Sequence, residues 1–182
     1  MEKAMKAGGD FEGLVELYRP QAEFANSIAT VYWDPKRNCY SDNRGHSFDF
    51  RLDDSFLRLH FVEEDGGLVE PRYACCELWE HQGGTDFRPI KDEANVSGKI
   101  VRAFYIQKPP EHMGEPEKVD GVMTRRPVPK HRGGWVLPAY VAHFKRLGAQ
   151  AVIQFPAKAV ARHYEKVGFK PTEEEGYVIY EF

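Results

Sequence analysis

The feature that most constrains this 182-residue sequence is the alternation of helical and strand patterns in its C-terminal third. Apolar residues at three-and-four spacing from Leu137 to Leu147 predict a helix that ends at Gly148. The run from Ala149 to Phe155, apolar except for Gln150 and Gln154, predicts a strand, and a second helical stripe from Val160 to Val167 ends at Gly168. The two predicted helices span about residues 138–147 and 157–167. A chain with this alternation is expected to pack its helices on a sheet.

The rest of the chain shows other patterns. In residues 1–28 the apolar side chains recur at helical spacing, interrupted at Pro20, and this pattern predicts N-terminal helices. Short aromatic and β-branched runs from Ala29 to Ile106 predict strands. The proline-rich segment 107–118 predicts an exposed loop, and Tyr177–Phe182 a last strand. This order predicts one α/β (α+β) domain over residues 1–182, with a mixed, largely antiparallel sheet flanked by helices.

Composition excludes several function classes. The net charge of -3 provides no overall positive field for nucleic acid or anionic lipid. The longest stretch without charged side chains, Gly133 to Phe144, is shorter than the roughly 18 to 20 residues of a membrane-spanning helix. Residues 1–10 lack the apolar core of a secretory signal, so we expect a cytoplasmic protein.

The three cysteines carry no recognisable functional pattern. Cys39 stands alone and Cys75 adjoins Cys76, an odd count without the C-x-x-C spacing of a zinc site. No motif connects any of them to a histidine. We therefore expect thiols, no metal centre and no cysteine nucleophile.

A basic segment before the first C-terminal helix has the composition of an anion site. Residues 125–135 read RRPVPKHRGGW, and Pro138 places the start of the helix close behind them because proline is tolerated in a first helical turn. Glycines that turn N–H groups toward a ligand, followed by a helix N-terminus, suit a phosphate. A solvated basic turn is the alternative that the spacing leaves open.

Two motifs resemble a known family. Tyr164-Glu165-Lys166-Val167-Gly168-Phe169 resembles the helix-ending signature of the GNAT superfamily of N-acetyltransferases, and 129–134 (PKHRGG) resembles that family's pyrophosphate loop. The resemblance covers about residues 120–182, a third of the chain, and implies that this part binds acetyl-CoA or another acyl-CoA. The implied cofactor-binding residues are Val128, Lys130, His131, Arg132, Gly133, Gly134, Trp135 and Phe155. The resemblance also implies two splayed strands that admit pantetheine, one near Val128 and one ending at Phe155.

The function expected from this resemblance is direct acyl transfer to a primary amine. Tyr164 would protonate the departing thiolate, although its place on an apolar stripe also suits an ordinary core aromatic. Glu77 and Glu80 are candidates for the base by residue type alone, with His81 beside them. The alternative is a GNAT-like binding module without catalysis that recognises nucleic acid or a protein through residues 125–132. Strand Tyr177–Phe182 could pair across a homodimer.

Overall fold

A computed structural model describes residues 22–69, 75–104, 106, 116–125 and 135–182. The strands are β1 (Ala22–Ala25), β2 (Thr30–Asp34), β3 (Cys39–Asp42), β4 (Ser47–Asp53), β5 (Phe56–Phe61), β6 (Cys75–Gly83), β7 (Asp86–Pro89), β8 (Ile100–Phe104), β9 (Pro116–Val119), β10 (Val122–Arg125), β11 (Ala151–Gln154), β12 (Lys170–Pro171) and β13 (Val178–Glu181). The helices are α1 (Val136–Arg146) and α2 (Ala161–Val167), and 3₁₀ turns lie at Glu93–Asn95 and Lys158–Val160.

One mixed sheet dominates the described part of the chain. Its strand order is β1-β2-β3-β4-β5-β6-β8-β11-β13-β12, with β7 paired to β6. Of the strand pairs described, only β8 with β11 is parallel. The prediction of a mixed, largely antiparallel sheet in an α+β fold is confirmed. Fewer helices flank the sheet than expected, since the described residues contain two α-helices.

The sheet curls around helix α1. Every residue of α1 from Val136 to Phe144 is buried, because the helix contacts β1, β2 and β11. The first strand also approaches the C-terminal elements: the Asn26 side chain donates hydrogen bonds to the carbonyl oxygens of Lys166 and Val167. The hydrophobic core therefore forms around α1, and α2 packs beside it.

Both predicted glycine helix ends are present. Gly148 follows α1 with φ +77°, and Gly168 ends α2 with φ +116° in the left-handed region. A Cβ at Gly168 would also lie 3.1 Å from the Tyr180 ring. The position therefore needs glycine for its backbone conformation and for the space beside β13.

The N-terminal helices predicted over residues 1–28 are wrong where the structure describes them, because Ala22–Ala25 form strand β1. Phe24 turns inward to the core, and the Asn26 carboxamide oxygen accepts hydrogen bonds from the N–H groups of Ile28 and Ala29. This side-chain turn closes the β1–β2 hairpin and replaces the expected helix. Residues 1–21 lie outside the described part of the chain.

The exposed loop predicted at 107–118 ends in a strand. Residues 107–115 lie outside the described part, but Pro116–Val119 pairs with Val122–Arg125 as a separate two-stranded sheet. Asp120 and Gly121, with φ +52° and +81°, form the tight turn between them. This Asp-Gly hairpin signal was present in the sequence.

No helix within the described residues is long and apolar enough to cross a membrane. Cys39 and Cys76 are buried and form no disulfide bond.

Candidate functional site

The parallel strands β8 and β11 stop pairing before they end. Ile100 lies beside Ala151 and Arg102 beside Ile153, and no pair follows, although β8 continues to Phe104. On their outer sides both strands stay paired, β8 to β6 and β11 to β13. An opening therefore forms between the carboxyl ends of two parallel strands, a place where sheets commonly bind ligands.

A pocket of about 400 Å³ occupies this opening. The described residues that line it are Arg102, Phe104, Ile106, Gln154, Phe155, Pro156, Ala157, Val160 and Tyr164. Because side chains alternate along a strand, Arg102 and its partner Ile153 share one face and Gln154 lies on the other. The pocket thus has walls from both faces of the sheet, and its volume suits a small ligand.

Tyr164 forms part of the pocket wall from helix α2. Its ring meets Phe169 edge-on at 5.2 Å, and the phenol makes no hydrogen bond to a described residue. Burial, with a smaller contribution from the nearby Cys76 thiol, raises the pKa of Tyr164 to about 12. The phenol therefore keeps its proton at neutral pH and can act as a hydrogen-bond donor.

Gln154 is a buried polar residue at the end of β11. Only 4% of its surface is exposed, and its amide nitrogen Nε2 has no hydrogen-bond partner among the described residues. A buried donor without a partner costs about 1–3 kcal/mol and is rare in proteins. Nε2 of Gln154 is therefore a donor at the pocket wall that no described residue satisfies.

Arg102 lies among aromatic rings on the other side of the opening. Its guanidinium carbon is 3.5 Å from the ring centre of Phe104, 4.8 Å from that of Phe87 and 5.4 Å from that of Tyr177. Nη1 also donates to the Tyr177 hydroxyl at 3.5 Å. We call these four residues the Arg102 cluster. Among the nine residues named above as lining the pocket, Arg102 carries the only charge.

The two candidate bases differ in their surroundings. The hydrogen bond from Lys99 lowers the pKa of Glu80, with Lys99 Nζ at 3.1 Å and Arg88 Nη2 at 3.4 Å from its carboxylate. Glu77 lies opposite Phe104 in the β6–β8 ladder and therefore shares the face of the Arg102 cluster. Neither carboxylate lines the pocket. The Nε2 atom of His81 contacts the carbonyl oxygen of Gly84.

Of the predicted cofactor-binding residues, Trp135 and Phe155 are described. Phe155 is 54% exposed and lines the pocket. Trp135 differs from the expectation, since its side chain is fully buried, stacks on His46 at 4.6 Å and contacts Phe48 at 5.1 Å. Its ring therefore belongs to the hydrophobic core. The other predicted residues, at 128 and 130–134, lie outside the described part.

Strand β8 is the parallel neighbour of β11, and β10, the last described element before residues 126–134, pairs with β9. The strand expected near Val128 lies outside the described part of the chain. Sequence reasoning also missed Arg102 and Gln154. Each is a single polar residue inside an otherwise apolar strand, and such an interruption was the available signal.

Comparison of the chain with protein-family models, curated proteins and solved structures found no match. Among the described residues, no group of three or more histidine, cysteine or acidic side chains could hold a metal ion.

Proposed function

We propose that this protein is an acyl-CoA-dependent N-acyltransferase that transfers an acetyl or related acyl group directly to a primary amine. The observation that carries the proposal is the pocket at the separated ends of β8 and β11, with Tyr164 on its wall. Separated strands and a tyrosine at this place are what the resemblance to the GNAT superfamily implies. Strand β8 provides the described edge opposite β11.

The residues at the opening suit an extended ligand that contains amide groups. Beyond Arg102 and Ile153 the facing backbone edges are not paired with each other, and pantetheine carries amide groups that pair with such edges. Nε2 of Gln154, which has no partner among the described residues, is a further donor for a ligand carbonyl. Residues 126–134, which directly precede Trp135, would hold the phosphates, as their basic and glycine-rich sequence indicates.

Acyl-CoA supplies the acyl group in activated form, as a thioester. In the transfer a C–N bond forms and the C–S bond breaks, so the amine loses one proton and the departing sulfur gains one. The role we propose for Tyr164 is to donate a hydrogen bond to that sulfur. Its raised pKa of about 12 lies above the roughly 8.5 of an ordinary thiol, so full transfer of its proton is unfavourable and hydrogen bonding is its main contribution.

The amine must reach the acyl group without its extra proton. Glu77 is the better candidate to accept that proton, since it shares the face of the Arg102 cluster and forms no ion pair with a described residue. Lys99 and Arg88 hold Glu80 in its charged form with a lowered pKa, which weakens it as a base.

Calorimetric and thermal-shift titrations with acetyl-CoA test the proposal. Ligand at about 100 times its dissociation constant should stabilise the fold by roughly 2.7 kcal/mol. The charge reversal Arg132→Glu should weaken binding, whereas Lys145→Glu, on an exposed residue of α1, should not. Absence of acetyl-CoA binding up to millimolar concentration would contradict the proposal and favour the binding module.

A further inference from the structure

Two hydrogen-bonding side chains, those of Gln154 and Tyr164, lie on the same side of the pocket. Val152, two residues before Gln154, belongs to the hydrophobic core against which Tyr164 packs. Because side chains alternate along a strand, Val152 and Gln154 share one face of β11, so Gln154 and Tyr164 approach the opening from the same face of the sheet. The other described lining residues after Gln154 are apolar: Phe155, Pro156, Ala157 and Val160.

No hydrogen bond to a described residue holds the carboxamide of Gln154 in one orientation. The residue is almost fully buried, and so is its Nε2 atom. The last torsion of a glutamine side chain is broad, so a rotation about it turns the amide N–H donors toward the pocket without moving the strand. A donor that no described residue satisfies gains a hydrogen bond when a ligand oxygen reaches it.

The direction of the Gln154 side chain separates it from the backbone groups at the opening. The backbone N–H and C=O groups of β8 and β11 lie in the plane of the sheet, where they suit the amides of an extended ligand. Side chains stand roughly perpendicular to that plane. Gln154 therefore meets the part of a ligand that leaves the plane toward Tyr164 on α2, which is the thioester end in the proposed reaction.

We propose that Gln154 is a catalytic residue whose carboxamide donates a hydrogen bond to the carbonyl oxygen of the bound thioester. This inference rests on the proposed acyltransferase function, which leaves open the ligand carbonyl that Gln154 meets. A thioester carries an oxygen and a sulfur on one carbon atom. Gln154 and Tyr164 provide one donor for each of them, on the same side of one pocket.

The charge that develops during acyl transfer falls on this carbonyl oxygen. As the amine nitrogen bonds to the carbonyl carbon, one electron pair of the C=O bond moves to the oxygen. That pair returns to the C=O bond when the C–S bond breaks and its electrons leave with the sulfur. The amine loses one proton and the sulfur gains one, whereas Gln154 keeps its protons throughout. Its hydrogen bond strengthens as the negative charge grows, and the apolar neighbours of Gln154 favour this further.

A cycle of two proteins and two ligands tests this contact by calorimetry, without turnover. The ligands are acetyl-CoA and S-ethyl-CoA, a thioether that keeps the sulfur and both carbons but lacks the carbonyl oxygen. The parent protein should bind acetyl-CoA about 3- to 10-fold more tightly than S-ethyl-CoA, the range of one neutral hydrogen bond. Gln154→Met, which keeps the length of the side chain and deletes the donors, should remove that difference. Equal binding of the two ligands by the parent protein would overturn the inference, and so would an undiminished difference in the variant.

Turnover should respond more strongly than binding, because the oxygen carries more charge in the transition state than in the bound thioester. Thiol release is measured at saturating acetyl-CoA with the amine that the parent acylates fastest among L-lysine, phenethylamine and spermidine. Gln154→Met should lower kcat about 100- to 1000-fold, the cost of removing one such donor. Gln150→Met is the matched control, because Gln150 is an exposed glutamine just before β11 that does not line the pocket. Melting temperatures check folding, and a kcat within about threefold of the parent in folded Gln154→Met would overturn the inference.

The two proposals fail in different ways. If acetyl-CoA binds and Gln154→Met acylates amines as fast as the parent protein, the acyltransferase function stands and the role of Gln154 is wrong. If acetyl-CoA does not bind to the parent protein, the acyltransferase function and the role of Gln154 are both wrong.

Discussion

Replacing Tyr164 with phenylalanine separates a role in catalysis from a role in packing. The substitution keeps the ring against Phe169 and deletes a hydroxyl that makes no hydrogen bond to a described residue. The free energy of unfolding should therefore change by less than about 0.5 kcal/mol. If the hydroxyl bonds to the departing sulfur, its loss removes a hydrogen bond to a charged group, worth about 1.5–3 kcal/mol. At about 1.36 kcal/mol per tenfold, turnover should fall roughly 10- to 150-fold.

The assay measures initial rates of thiol release at saturating acetyl-CoA, the dissociation constant of acetyl-CoA, and the melting temperature of each protein. Tyr180→Phe is the matched control, since Tyr180 also contacts Phe169, at 5.4 Å, but does not line the pocket. The raised pKa of about 12 keeps the Tyr164 proton in place as pH rises, so the rate ratio of parent to Tyr164→Phe should stay constant between about pH 7 and pH 10. Parental turnover in Tyr164→Phe would refute the proposed role, and so would a rate loss matched by an equal loss of stability.

Three further substitutions test the surroundings of the site. Burial raises the pKa of Asp42, but hydrogen bonds, chiefly from His46, outweigh it and hold the pKa below its usual value. Asp42→Asn should therefore lower the free energy of unfolding by about 1.5–3 kcal/mol near neutral pH. Chemical denaturation should show this difference between the two proteins shrinking below about pH 4. Gln154→Met removes a buried donor that no described residue satisfies. Denaturation should therefore show the protein without ligand stabilised by about 1–3 kcal/mol, and calorimetry should show weaker acetyl-CoA binding. Gly176→Ala places a Cβ 2.4 Å from the Phe155 ring at φ +84°, so it should lower the melting temperature by several degrees and change acceptor affinity through the displaced pocket wall.

Local patterns predicted the C-terminal elements well. The helix ends at Gly148 and Gly168 depend on residues near them in the chain, since left-handed backbone favours glycine wherever it occurs. The strand β1 was mistaken for part of a helix because Phe24 and Ile28 fit a helical stripe, whereas pairing with β2 through the Asn26 turn decides the outcome. A short apolar run is compatible with a helix and with a strand until its partner strand is known.

The pocket depends on contacts that sequence spacing does not contain. Pairing of β8 with β11 joins residues on either side of α1, and the hairpin β9–β10 separates β8 from the basic segment. The burial of Trp135 could not be predicted from the local sequence either, because it depends on His46 and Phe48 from a distant part of the chain. Whether the Trp135 ring faces a ligand or the core is decided by these distant residues and not by the two glycines beside it in the sequence.

We propose that acyl-CoA binds in the opening between β8 and β11. Amide hydrogen exchange with and without saturating acetyl-CoA tests it directly, because ligand pairing with the strand edges slows exchange there. We predict slower exchange at Ala103–Phe104 and Gln154–Phe155, with no change in the hairpin residues Val119–Val122. No binding of acetyl-CoA, or binding that leaves exchange at both strand ends unchanged, would contradict the claim.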